Sequence, residues 1–413
     1  MKSTSSLSPY YGWLILVALA VTEMLAWGTT SYAGGTFVLP LQKEFGLSRA
    51  AASLPGSILF VGSTIAAPFV GRILDRYSVK WVLTVGALAL GGAFAVIALT
   101  SSLWLMALML LVPAAMGFTA IGVLTTGTLL SRWFYRHRGL ALGLGALATS
   151  GGGIFVLPLL SMLIETHGWR TTLLVEAASI ILIVSILAVF IVRDAPSDMG
   201  LETHAENAGR PAADLAKGAN AATVSWRQIF SNRSFWGVAI ALAMISGTCQ
   251  ALVTVMGPYA AQLGLSALEA ARLISIFAAA AALTKIVSGF CADYINRRLI
   301  VLAAAVIMIA GMLVLLNSAS YLSLSAATLL AGIALGCVLP VVSAIIAATF
   351  GAPSFGKAMG CAYAILGLTV IILPPLAGAV FDRTGSYRGA FIMFIGLALA
   401  AAVSSQLIRS KIA

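Results

Sequence analysis

Long apolar stretches recur along almost the whole of this 413-residue chain. Only 9% of its residues are charged and 61% are hydrophobic, so a water-facing surface would carry almost no charge. A helix needs about 20 apolar residues to cross the hydrocarbon core of a bilayer. Twelve windows are that long: residues 12–39, 53–74, 81–100, 104–130, 139–162, 171–192, 235–261, 269–290, 299–316, 324–349, 357–379 and 389–408. The pattern predicts an all-α membrane protein with twelve transmembrane helices and argues against a soluble fold.

The basic residues lie between these windows and form no single stripe, which disfavours nucleic-acid binding despite a net charge of +11. If the N-terminus is cytoplasmic, seventeen Lys and Arg residues fall on the cytoplasmic side and six on the other. Membrane proteins keep an excess of positive charge in cytoplasmic loops. We therefore predict an inner (cytoplasmic) membrane protein with both termini in the cytoplasm.

Several short motifs occur twice at a constant distance of 218 residues, and one pair at 217. The matches are Pro40 with Pro258, Gly46-Leu47-Ser48 with Gly264-Leu265-Ser266, Gly71 and Asp75 with Gly289 and Asp293, and, at 217, Glu165 and Gly168 with Asp382 and Gly385. A repeat of six helices starts on the same membrane side each time, so the two repeats are parallel. We predict an N-terminal bundle at 1–192 and a C-terminal bundle at 229–413. The polar segment 193–228 is a cytoplasmic linker ending in a short interfacial helix.

The loops after the second and eighth spans share the pattern Gly-x-x-x-Asp. A carboxylate at a helix end can pair with Arg or meet the N-terminus of a neighbouring helix. We expect a cytoplasmic gate made of Asp75, Arg76, Asp293 and Arg132. The alternative is a plain topology signal.

These loops, the twelve spans and the repeat together resemble the major facilitator superfamily over essentially the whole chain. The segment from Arg132 to Gly143 is similar to the entry of the fifth span in the branch of monocarboxylate transporters and oxalate:formate antiporters. Tyr32, with Phe37, Pro40 and Leu41, resembles the end of that branch's first span. The resemblance implies alternating access between two six-helix bundles around a central site.

Lys285 is the one Lys or Arg residue that we assign to neither side of the membrane, because it lies inside a predicted span. A charge at mid-span costs about 2.5–3.5 kcal/mol on insertion scales, so it needs a partner or a wet cavity. In the resembled branch, a substrate-binding Arg stands at this position, four residues before the loop-motif Gly. We expect Lys285 to bind a substrate carboxylate as a point charge. Alternatively, it extends to the cytoplasmic interface.

Glu23 lies in the middle of the first span, and burial favours the neutral form of a carboxyl group. We expect it to carry a coupling proton, the alternative being a structural hydrogen bond. Nine residues separate Glu23 from Tyr32, which is half a turn off on an ideal helix, so the two share a cleft only if the helix bends. Glu176 is expected to be structural.

Aromatic side chains supply apolar walls and polar tips in binding sites, but more often they pack or anchor to lipid. Tyr32 and Tyr363 match positions of the resembled branch. We expect the substrate site to include these two, Trp27 and, with less support from the pattern, Phe118 and Cys361.

No arrangement of residues indicates an enzyme, a metal site or a cofactor. We predict a secondary transporter of small organic monocarboxylates, coupled to protons and active as a monomer. An organic anion exchanger, a drug or cation exporter on the same fold, and a non-transporting membrane sensor remain as alternatives.

Overall fold

The computed structural model describes residues 11–134, 138–199, 224–317 and 320–408. The membrane-crossing helices, numbered in chain order, are α1 Tyr11–Tyr32, α2 Leu54–Arg76, α3 Val79–Leu99, α4 Leu103–Trp133, α5 140–167, α6 169–190, α7 Arg233–Gln262, α8 Ala267–Tyr294, α9 Arg297–Asn317, α10 Tyr321–Gly351, α11 Lys357–Thr384 and α12 Arg388–Ser405. A further helix, Gly34–Phe45, extends α1. We call outer the face with the connections that follow odd-numbered helices, and inner the opposite face.

Two glycines divide what are otherwise continuous helical runs. Eleven described helices are long and apolar enough to cross a membrane, and one of them, Leu140–Phe190, is 51 residues long. Gly168 breaks it with φ 78° and ψ 163°. Gly351 breaks the run Tyr321–Thr384 in the same way, with φ 72° and ψ 169°. Glycine lacks the Cβ that disfavours this conformation. The break at Gly168 divides Leu140–Phe190 into α5 and α6, whereas the two helices on either side of Gly351 are already counted separately. The eleven helices thus become twelve, and the prediction of twelve membrane helices is confirmed.

The repeated Gly-Leu-Ser motif forms the same turn in both halves. Gly46 and Gly264 both have positive φ, and the serine that follows each begins a helix. Ser48 Oγ accepts from the Ala51 N–H at 3.2 Å, and Ser266 Oγ accepts from the Glu269 N–H at 3.2 Å. Serine at this position satisfies one of the N–H groups that a helix start leaves unpaired. The motif thus sets the first residue of two helices, which are α8 and the helix Arg49–Ala52 that precedes α2.

A short helix, Trp226–Phe230, precedes α7 within the predicted linker. The Ser225 and Gln228 side chains cap it reciprocally, and Ile229 is buried while Trp226 is exposed. Lys357 lies 4.2 Å over the Trp226 ring and donates to the Val224 carbonyl at 3.0 Å. Residues 200–223 of the linker lie outside the described residues. The bundle boundaries therefore stay a prediction.

Two hydrophobic clusters fill the molecule, one within α1–α6 and one mainly within α7–α12. The second cluster also includes Tyr32 and Ala33 of the first half, and Val156, Leu157 and Leu160 of α5. The two halves therefore pack together along a seam of α1 with α7, α2 with α11, and α5 with α8. Hydrogen bonds across it include Ser31 Oγ to Gln250 Oε1 (2.9 Å), Ser57 Oγ to the Ile371 carbonyl (2.7 Å) and Ser275 Oγ to the Gly153 carbonyl (2.8 Å).

Candidate functional site

The Lys285 side chain crosses the seam from α8 to α5. Its Nζ donates to Ser150 Oγ at 3.1 Å, to Thr149 Oγ1 at 3.2 Å and to the Ala146 carbonyl at 3.3 Å. All three acceptors are uncharged oxygens on one turn of α5. The ammonium is therefore directed at the opposite half of the protein, and the alternative in which it reaches the inner membrane surface is not the arrangement seen.

Neighbouring residues of α8 determine this direction. Before Lys285 comes the run 278–282, five alanines that leave room beside the seam. Three residues after Lys285, and about 60° away from it around α8, Ser288 Oγ donates to the Gly336 carbonyl of α10 at 3.0 Å. Helix α8 is thus held against α10, and the long Lys285 side chain extends to α5.

Glu23 lies on α1 and is 1% exposed. Trp27 and Thr126 present their polar groups to its carboxylate, and Lys285 interacts with it electrostatically. Neither carboxylate oxygen completes a hydrogen bond with a described residue, and the same holds for Trp27 Nε1 and Thr126 Oγ1. Among the described residues, Lys285 and Glu23 thus interact electrostatically without forming a salt bridge, and the Glu23 carboxylate has no fixed hydrogen-bond partner.

A π-helical turn, Gly28–Tyr32, brings Tyr32 to the same site as Glu23. On an ideal helix the two side chains would point about 180° apart, but a π turn inserts one extra residue and reduces the offset to about 80°. The buried Tyr32 faces Ser150, which also binds Lys285. The sequence predicted that a shared cleft needs a bend in the helix; the structure instead has a change of helix type that reduces the offset.

Two of the predicted aromatic residues form the wall beside Glu23. The Trp27 and Phe118 rings meet edge to face with centroids 5.5 Å apart. Phe118 in turn contacts Phe60 of α2, at 6.1 Å. Such edge-to-face pairs fix ring positions. The wall is therefore apolar and held from three helices.

Tyr363 and Cys361 on α11 lie apart from this group. Tyr363 is 43% exposed, and Cys361 packs against the second-half cluster, one helical turn after Lys357. Among the contacts described for them, none joins either side chain to Lys285. Their role in binding stays a prediction.

The predicted gate residues are only partly described. Arg132 Nη2 donates to the Leu74 carbonyl at 3.1 Å, which ties α4 to the inner end of α2. Asp75 and Arg76 are exposed, and neither forms an ion pair with a described residue. The Asp293 side chain lies outside the described residues.

Sequence reasoning missed the α5 residues that hold Lys285. Thr149 and Ser150 are ordinary helix residues by type, and Ala146 contributes only its backbone. A weak signal exists, since these two hydroxyls directly precede three glycines at 151–153. Thr126, beside Glu23, was missed for the same reason.

A cavity of about 470 Å³ lies on the outer side of the site and reaches the seam at Ser31 and Gln250. No Asp, Glu, Lys or Arg lines it, and its walls include Phe37, Phe60, Phe94 and Trp104. Neither Lys285 nor Glu23 contributes to it. Binding of a charged ligand needs charged side chains, and this cavity has none. We therefore place the candidate site at Lys285 and Glu23 and not in the cavity. No group of three or more metal-ligating side chains lies together among the described residues.

Comparison with known proteins places this chain in a family. The sequence profile of the Major Facilitator Superfamily matches residues 19–274 and 243–410. Human monocarboxylate transporter 11 is 24% identical over 392 residues, covering 93% of this chain and 80% of the human protein. Human monocarboxylate transporter 2 is 23% identical over 415 residues, covering 95% and 84%.

A solved structure shares the fold. A bacterial homologue of the human lysosomal transporter Spinster, in an inward-facing and occupied conformation, superposes with a TM-score of 0.74 at 15% identity, covering 98% of this chain and 97% of that one. The family profile, the relatives and the twelve-helix architecture agree with the resemblance found in the sequence. This chain is a multi-pass membrane transporter of the Major Facilitator Superfamily and not an enzyme.

Proposed function

We propose that this protein is a proton-coupled secondary transporter of small organic monocarboxylates. The observation that carries the proposal is the position of Lys285, whose ammonium crosses the seam and is bound only by uncharged oxygens of α5. The names of the relatives that cover most of the chain support the same substrate class.

The groups around Lys285 suit the binding of one carboxylate. Replacing uncharged oxygens by a carboxylate gives Lys285 a charge-assisted hydrogen bond, which is stronger than a neutral one. The hydroxyls of Thr149 and Ser150 can then donate to the second carboxylate oxygen. No other Lys or Arg is described at the site, so one negative charge is matched.

Charge balance connects the substrate to a proton. In the empty site, Lys285 and Glu23 together carry no net charge when both are ionised. An arriving carboxylate that pairs with Lys285 leaves Glu23 as an unpaired buried charge, which is costly. Uptake of one proton by Glu23 restores neutrality, so we propose one proton for each carboxylate.

The seam supplies the route for alternating access. Lys285, Glu23 and Tyr32 lie where the two halves meet, so rocking of one half against the other would expose the site to each face in turn. Following the sequence-based orientation, the inner face is cytoplasmic and the membrane is the inner membrane.

The test is uptake into proteoliposomes. Short, branched and aromatic radiolabelled carboxylates are offered with and without an imposed inward proton gradient. We expect saturable uptake that the gradient drives above equilibrium. Transport of organic cations instead would favour a drug exporter, and uptake that needs internal counter-substrate but no gradient would favour an anion exchanger.

A further inference from the structure

Two carboxylates at the outer face each bind the start of a helix in the other half of the protein. Asp382, at the end of α11, accepts from the Arg49 N–H through Oδ1 and from the Ala50 N–H through Oδ2, both at 2.9 Å. These donors begin the helix Arg49–Ala52, which continues through Ser53, with helical φ and ψ, into α2. The contact joins the outer ends of α2 and α11.

Glu165, at the outer end of α5, makes the corresponding contact in the reverse direction. Its Oε1 accepts from the Ala267 N–H at 2.6 Å and from the Leu268 N–H at 3.3 Å, in the first turn of α8. The four donors correspond through the 218-residue repeat, Arg49 with Ala267 and Ala50 with Leu268. The two contacts are thus copies of one arrangement, and we call the pair the outer clasp.

The clasp carboxylates are not the helices' own caps. In both copies the local serine, Ser48 or Ser266, already accepts from the third N–H of the helix. The clasp carboxylate takes the first and second N–H groups, which the serine leaves free. A carboxylate at these groups is also favoured by the positive end of the helix dipole. Its energy is therefore gained only when the two halves meet at the outer face.

One half of the clasp has an additional contact. The Arg49 guanidinium lies 3.6 Å over the Phe381 ring and 5.3 Å from the Tyr387 ring. Its repeat counterpart, Ala267, has no such side chain. The α2–α11 contact is therefore the stronger of the two.

We propose that the outer clasp holds the outer face closed and must open in every transport cycle, so that Glu165 and Asp382 set the balance between outward-closed and outward-open states. The inference rests on the alternating access in the proposed function, but not on the identity of the substrate. Neither residue contacts Lys285 or Glu23, so the clasp acts on the conformational equilibrium and not on binding.

The test measures the opening of the outer face without substrate. Spin labels at Lys43→Cys and Ala261→Cys, two exposed positions at the outer ends of the α1 extension and α7, report their separation in a background in which the four native cysteines are replaced. Distances are compared for Glu165→Ala, Asp382→Ala and the double variant. Glu269→Ala is the matched control, because Glu269 lies at the same face and its described hydrogen bonds stay within its own half, to Ser266.

We expect each single variant to raise the ratio of open to closed populations by about tenfold. The double variant should have the largest effect, and Glu269→Ala should leave the ratio unchanged. An unchanged distance distribution in a folded double variant would overturn the proposal. If an alanine variant does not fold, Glu165→Gln and Asp382→Asn keep an acceptor without the charge, and a smaller opening in the same direction is then required.

The readout separates this proposal from the transport proposal. Absence of carboxylate uptake by the unmodified protein would refute the proposed substrate while leaving the distance measurement valid. Normal uptake with no change in distance in the double variant would refute the clasp alone.

Discussion

Lys285 on α8 donates a hydrogen bond to Ser150 on α5, with 3.1 Å between Nζ and Oγ. This contact joins the two halves of the transporter at the proposed substrate site. Because the acceptor is uncharged, an anion that replaces it improves the electrostatic environment of the ammonium. Under the proposed function, the same contact would link substrate binding to the relative position of the halves.

Removal of the ammonium should weaken carboxylate binding. For Lys285→Ala we expect substrate affinity to fall by about 10- to 150-fold, the loss of a hydrogen bond to a charged group. Scintillation proximity binding and proteoliposome uptake measure it. Lys357→Ala is the control, because that ammonium binds Val224 and Trp226 at the linker. Normal affinity in Lys285→Ala would remove Lys285 from the site.

The α5 hydroxyls should position Lys285 and assist binding. We expect Ser150→Ala to raise KM for uptake by about two- to tenfold, the usual effect of one neutral hydrogen bond. Ser150→Thr, which keeps the hydroxyl, should restore most of the affinity. A Ser150→Ala variant with unchanged KM would show that the hydroxyl does not take part.

Glu23 should connect uptake to the proton gradient. In Glu23→Gln we expect exchange of labelled for unlabelled carboxylate to continue while gradient-driven accumulation is lost, because the amide cannot take up a proton. Glu176→Gln is a matched control, since Glu176 is another buried acid whose carboxylate has no described hydrogen bond. Gradient-driven accumulation that persists in Glu23→Gln would place the coupling proton elsewhere.

The ion pair of Glu44 with Arg170 should give a pH-dependent contribution to stability. The hydrogen bond from Arg170, 2.6 Å from Nη2 to Oε1, lowers the pKa of Glu44, and the Trp169 indole adds a second donor at 2.7 Å. A lowered pKa gives stability that is present above the ordinary value of about 4.3 and lost as pH falls through the folded value.

Glu44→Gln should therefore lower the stability at pH 7 and have a smaller effect at about pH 3. The two side chains are 36% and 30% exposed, so screening limits the effect to less than about 1 kcal/mol. Thermal unfolding in detergent at both pH values measures it. Ser101→Ala, which removes a neutral contact of Arg170, should give a difference that does not change with pH. A Glu44→Gln effect that is as large at pH 3 as at pH 7 would contradict the ion-pair assignment.

The sequence predicted the helices and the charged residues of the site better than the groups around them. Twelve apolar windows predicted twelve crossings, including the pair that Gly168 separates, because crossing a bilayer requires a length that is visible in composition. Lys285 and Glu23 were visible because a charge in an apolar window is rare. Thr149, Ser150 and Thr126 were not, since a hydroxyl in a helix usually bonds to its own backbone.

The sequence alone therefore determined the number of crossings, the parallel repeat and the residues that carry charge into the membrane, since each follows from residue type and spacing along the chain. Only the tertiary structure decided that a π turn brings Tyr32 to the site of Glu23, that Lys285 meets α5, and that Glu165 and Asp382 bind helix starts in the opposite half. Those relationships depend on how helices rotate and pack against one another, and the energy of such packing is spread over residues far apart in the chain.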